Sequence, residues 1–202
     1  MIQNLPEKYK SIWEKSEPLL EKGRIGDTKH AAEVAEFILN YKGDLKLDLD
    51  IFVPLAIMHD IGHFTILPEH WTYVTGEKKL TNGKLVHMLT GAKVAKEILE
   101  SVNYDKEKTT EIVDIISVHD ADQIKGIELS DFYNSENKKI FHDIDCLDRF
   151  TEERLKGFIK MGMSAEYIKK VLLETIEKMA YDEFRKVAQE KMDSLDIDSM
   201  AS

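Results

Sequence analysis

Eight apolar residues in a row, 51–58, run directly into His59-Asp60. A segment that hydrophobic belongs in a core, where an unpaired carboxylate is very costly to bury. Any fold of this chain must therefore bring a partner to Asp60. Imidazole and carboxylate are ordinary ligands of divalent zinc, manganese, nickel, cobalt and iron, so a metal ion is one such partner. A structural hydrogen bond within the pair is another, and these residues alone leave both open.

The remaining pattern is helical. Proline (4) and glycine (10) are scarce among 202 residues, which favours long regular elements over a loop-rich sandwich. Residues 7–22 carry Tyr9, Ile12, Trp13, Leu19 and Leu20 and read as one or two short helices, with Pro18 between. Ala31, Val34, Ala35 and Ile38 follow at the spacing of an amphipathic helix, with Asp27 and Thr28 as capping candidates before it. Four and seven residues on from His30 lie Val34 and Phe37, so His30 faces inward. Asp48 and Asp50 offer caps for the next helix, and Pro54 is expected in its first turn. Gly62 reads as that helix's terminator, which would leave His63 in a loop. Residues 64–84 read as irregular, either a lid over a site or a surface excursion.

The helical pattern resumes at Leu85, with His87 at its start and Gly91, Val94 and Ile98 on the same stripe. A further stripe, Ile112, Ile115, Ile116 and His119, ends at Asp120. Another helix, from about Lys138, bears Ile140, Ile144 and Leu147, with Asp145 beside them. Ser164 caps a helix bearing Ile168, Leu172 and Met179, continued by Phe184 and Ala188. No β-alternation and no repeat is visible. The expectation is an all-α, single-domain bundle over 1–202, with a core at about 24–155. Helices at 7–22 and 164–192 would pack on that core.

Bulk properties narrow the function classes. A net charge of −10, with Lys and Arg dispersed, disfavours a nucleic-acid polymer as partner. A small phosphorylated ligand is compatible with it, since metal ions supply local positive charge. One cysteine, Cys146, allows no intrachain disulfide and suits a reducing compartment. The first residues lack the pattern of a signal peptide, and no apolar run is long enough for a membrane span. These points predict a cytoplasmic protein without a membrane partner and leave a homo-oligomer open.

Four stripes thus each present an inward histidine at a helix start or end: His30, His59, His87 and His119. Asp60 and Asp145 take comparable positions. If the helices bundle, such ends converge on one cavity, as metal ligands in bundles do. The ordered set Asp27-Thr28-Lys29-His30, Met58-His59-Asp60-Ile61-Gly62-His63 and Ile144-Asp145-Cys146-Leu147-Asp148 resembles the HD-domain superfamily of metal-dependent phosphohydrolases. The resemblance covers roughly residues 24–155.

It implies His30, His59, Asp60 and Asp145 as ligands of one ion. It also implies His87 and His119 as ligands of a second, with Asp60 bridging, as in the branch that resembles diadenosine-tetraphosphate hydrolases and cyclic-dinucleotide phosphodiesterases. One or two divalent ions (Fe, Mn, Ni, Co or Zn) would then activate water on a phosphate ester or anhydride of a nucleotide or other small phosphorylated substrate. Two positions depart from the pattern. His63 stands where many members have lysine, and Asp120 where many have a second histidine. Asp120 therefore removes a ligand, substitutes one, or supports a histidine from outside.

Arg24, in a loop with glycines, is a candidate to grip phosphate or a solvated arginine. His63 is a candidate to protonate a leaving group or orient Asp60, and Lys84 a candidate phosphate contact. Arg149 is expected to pair with Asp145 or Asp148, and His70 and His142 to be surface or packing residues. Alternatives to hydrolysis are an HD-type di-iron oxygenase and a non-catalytic nucleotide-binding module.

Overall fold

Two apolar helices, α2 (Asp27–Asn40) and α3 (Leu49–Met58), form the heart of the first half of the chain, packed against each other. The computed structural model describes residues 2–67, 77–124 and 126–200, with the backbone alone for 77–82. Among these residues every regular element is helical. Contacts gather into two units, Met1–Asn134 and Ser135–Ser202.

In the first unit α1 (Glu7–Leu20) is one helix that runs through Pro18. It packs on α3 and on a 310 helix over Ile61–Thr65. The helix α4 (Glu77–Ser101) lies along that 310 helix and against α5 (Lys106–Ile116), which also meets α3. A 310 turn over Ala121–Gln123 and the short α6 (Leu129–Phe132) complete the unit. Residues 51–58 are all buried, as their hydrophobicity requires.

Three local expectations are revised. Pro54 is the sixth residue of α3, because Asp48 caps the helix by accepting the Asp50 N–H and Leu49 opens it. A proline there supplies no N–H to the carbonyl four residues back. That carbonyl belongs to Asp50, and the Tyr104 hydroxyl donates to it at 2.7 Å. Next, α4 begins at Glu77, eight residues before the apolar stripe becomes legible, and passes through Gly83. His87 therefore lies in its third turn. The expected lid falls largely on 68–76, outside the described residues, as does His70.

The third revision concerns Gly62, which serves close approach. A Cβ there would stand 2.0 Å from the His87 carbonyl oxygen and 2.7 Å from the Gly91 nitrogen. With Gly91 opposite, the 310 backbone lies directly on α4.

The second unit holds α7 (Glu136–Cys146), a 310 helix over Leu147–Phe150, α8 (Glu152–Lys160), α9 (Ala165–Lys178), α10 (Asp182–Asp193) and α11 (Ile197–Met200). The 310 helix is its hub, touched by α7, α8 and α10. Ser164 caps α9 as expected. The Asp143 carboxylate accepts the N–H groups of Ala180 and Tyr181 at 2.8 Å each, and His142 Nδ1 lies 3.1 Å from it. His142 is thus a packing residue inside the unit.

Candidate metal centre

The His59-Asp60 pair sits where α3 stops. His59 is the last residue with helical backbone, and Asp60 leads into the 310 helix. The His59 Nδ1 lies 2.9 Å from the Ala56 carbonyl oxygen. A carbonyl only accepts, so Nδ1 carries the hydrogen and the Nε2 of the neutral ring presents a lone pair. The same arrangement recurs after α5, where His119 Nδ1 lies 2.8 Å from the Ile116 carbonyl. In both places the helix ends before the apolar stripe does, and the freed turn aims the imidazole inward.

Four helices bring an imidazole each to Asp60. His30, from the first turn of α2, places its Nε2 2.9 Å from that of His59. His87, from α4, places its Nε2 3.3 Å from that of His119. The two oxygens of Asp60 divide between these imidazole pairs. Oδ2 lies 3.9 Å from His30 Nε2 and 3.7 Å from His59 Nε2. Oδ1 lies 3.7 Å from His87 Nε2 and 3.5 Å from His119 Nε2. Each pair, with its oxygen, is compact enough to hold an ion.

All five residues are buried. Lone pairs crowded this closely repel one another unless a proton or a cation lies between them. The mixed imidazole and carboxylate donor set therefore fits a divalent transition metal.

Arg24 reaches in from the loop between α1 and α2. Its guanidinium donates to Asp60 Oδ2 at 2.6 Å and to Asp27 Oδ1 at 3.0 Å, and its N–H to Asp27 Oδ2 at 2.7 Å. Gly26, at φ 98°, takes the left-handed turn that starts α2, so Asp27 is the first helical residue. Asp27 binds back to the loop, a role beyond the capping expected of it. His63, inside the 310 helix, places Nδ1 3.2 Å from Asp27 and 3.4 Å from Asp60, and its ring stacks on His87 at 4.3 Å.

On the other flank Lys84 contacts Asp120 Oδ2, which lies 3.2 Å from His87 Nε2. Asp120 and Asp27 are the members of this cluster that the sequence singled out least. Their signals were a His-Asp pair closing a second apolar stripe and an acid one helical turn before His30.

The charges follow from this packing. Burial alone would raise the Asp60 carboxyl, but the Arg24 guanidinium beside it holds it well below the usual carboxylate range. Asp120 is likewise held low against burial by the Lys84 ammonium and by a hydrogen bond from His87. Burial pushes the His87 imidazole down to about 4, which keeps its ring neutral. Burial works against the charge of Arg24, and Asp60 and Asp27 more than offset it.

Asp145 lies in the second unit, half-buried in the last turn of α7. Cys146, next to it, is buried within 3.5 Å of His142. Asp148 is held by Arg154, and Arg149 reaches Thr175 Oγ1 at 3.3 Å.

No helix among the described residues is long and apolar enough to cross a membrane. The HD domain family model matches residues 28–150, more than half of the chain. Neither curated proteins nor solved structures give a match. With that span, an all-helical fold and histidines gathered around Asp60, the chain belongs to the HD domain family, whose members are mostly metal-dependent phosphohydrolases.

Proposed function

We propose that this protein is a metal-dependent phosphohydrolase. Its substrate would be a phosphate ester or anhydride of a nucleotide or another small phosphorylated compound, cleaved by water. The observation that carries the reading is the division of Asp60: one oxygen faces His30 and His59, the other His87 and His119. That geometry suits a carboxylate shared by two ions. Divalent ions held there would polarise a phosphoryl oxygen and make water a stronger nucleophile at neutral pH.

The chain's own residues supply the rest. The carbonyls of Ala56 and Ile116 fix the tautomers of His59 and His119, keeping their Nε2 atoms aimed inward. Arg24, with its side chain 42% exposed, holds its guanidinium against Asp27 and Asp60 at the edge of the cluster. In this reading its remaining N–H groups would donate to phosphoryl oxygens of the substrate. His63 bridges Asp27 and Asp60 and orients the shared carboxylate. Lys84 adds positive charge on the opposite flank. Asp145 enters as a ligand by the family pattern.

The reading is tested by metal analysis of the purified protein, followed by phosphate release from a panel of nucleotides, phosphomonoesters and phosphodiesters. Two ions per chain and release from at least one class are expected. No release from any class with the metal loaded, or oxygen uptake in its place, would overturn it.

A further inference from the structure

We infer that Asp120 is itself a ligand of the second ion, which makes that site half carboxylate and gives it a preference for harder cations. This rests on the two-ion reading above and concerns how its second site is built. Asp120 Oδ2 lies 3.2 Å from His87 Nε2 and 3.9 Å from His119 Nε2. Asp60, His87, His119 and Asp120 each offer one donor atom, all within 4.8 Å of one another, and all four are buried.

The atom that Asp120 faces decides its role. An acid that supports a histidine ligand from outside binds the nitrogen turned away from the metal. On His119 that outer nitrogen is Nδ1, and a backbone carbonyl occupies it. Asp120 instead faces the inward Nε2 of His87, the nitrogen that points at His119 and Asp60. Once that nitrogen gives its lone pair to a cation it has no hydrogen for Asp120. The carboxylate is then left beside the ion with oxygen lone pairs of its own. Lys84 and Gln123 each hold one of its oxygens, and an oxygen has lone pairs to spare beyond one such contact.

Two imidazoles with two carboxylates suit manganese or iron(II) better than a histidine-richer set, which favours zinc. Asp120 thus shifts the second site toward harder metals.

Calorimetric titration with Mn2+ and with Zn2+, on wild type, Asp120→Asn and Asp120→His, tests this. Wild type should bind two Mn2+. Asp120→Asn should keep its first ion at wild-type affinity, which also shows that it is folded, and weaken the second by more than about a hundredfold, beyond the roughly 10–100-fold that loss of an outer support costs. Asp120→His should regain a second Zn2+ while remaining poor for a second Mn2+. An Asp120→Asn protein that takes two Mn2+ at wild-type affinity would overturn the inference. So would an Asp120→His protein with the metal preference of wild type. A wild type that binds one ion, or a His87→Ala variant that still binds two, would instead strike the two-ion reading beneath it.

Discussion

His59-Asp60 and His119-Asp120 share one local design. In each, a helix stops, the imidazole Nδ1 is tied to the carbonyl three residues back, and the aspartate opens a 310 segment. They differ in company. Asp60 has four imidazole Nε2 atoms within 3.9 Å, divided between its two oxygens, with Arg24 on one of them. Asp120 has one imidazole near and one at 3.9 Å, and its oxygens are further held by Lys84 and Gln123. The same dipeptide after the same kind of apolar stripe thus becomes a hub in one place and a flank in the other. What separates them is long-range: α2 and α4 both bring an imidazole to the Asp60 carboxylate, whereas the imidazole nearest the Asp120 carboxylate comes from α4.

The largest effect should come from removing the hub. Asp60→Ala is expected to lose both ions and all turnover together, whereas His87→Ala should lose one ion and keep the other. Elemental analysis of the two variants checks this. Equal losses in both would mean that Asp60 is not shared between the two imidazole pairs.

Next in size is the joint that holds α4 to the first pair. Gly62→Ala should destabilise the protein by about 3 kcal/mol, since the added methyl meets backbone on α4. Gly91→Ala, whose Cβ would lie 3.2 Å from the Gly62 nitrogen, should cost about 1 kcal/mol. Urea denaturation of both variants decides, and a reversed order would mean the joint is misread.

Smaller again is Tyr104→Phe, which takes the hydroxyl donor from the Asp50 carbonyl behind Pro54. A loss of about 1 kcal/mol is expected, with metal stoichiometry unchanged.

The smallest effect concerns pH. Lys8, the Tyr9 hydroxyl and Lys108 hold the Asp50 carboxyl below its usual range. A depressed native value stabilises the fold above the unfolded value, about 3.9, and the gain fades as pH falls through the native one. Asp50→Asn should therefore flatten the acid limb of the stability curve below about pH 4 and leave metal content at neutral pH intact. A change in metal content would tie this remote acid to the centre.

Much of this was legible in the residues. The stripes of α2 and α5 and the apolar run of α3 are read from spacing, because one helical face repeats every three or four positions. His30, His59, His87 and His119 sit on those stripes, so their inward direction followed. The first turns of α4 did not show, since Thr81, Asn82 and Gly83 are weak helix formers. Local propensity there yields to a helix anchored further along on the 310 segment. The use of Gly62 was hidden for a related reason: a glycine that ends a helix and one that admits a neighbouring backbone look the same in one dimension. Asp27 read as a cap because its partners, Arg24 and His63, meet it through a left-handed turn and a distant segment.

The seat of the 310 helix on α4 has one more consequence. Wherever side chains fill an interface, a change of rotamer can take up a misfit of a fraction of an ångström. At Gly62 and Gly91 there is no such slack, since main chain rests on main chain. The spacing of the two main chains that carry Asp60 and His87 is therefore limited at this seat by contact between backbone atoms, in the manner of a machinist's gauge block. Drift elsewhere in the molecule would have to break that seat before it could widen the gap.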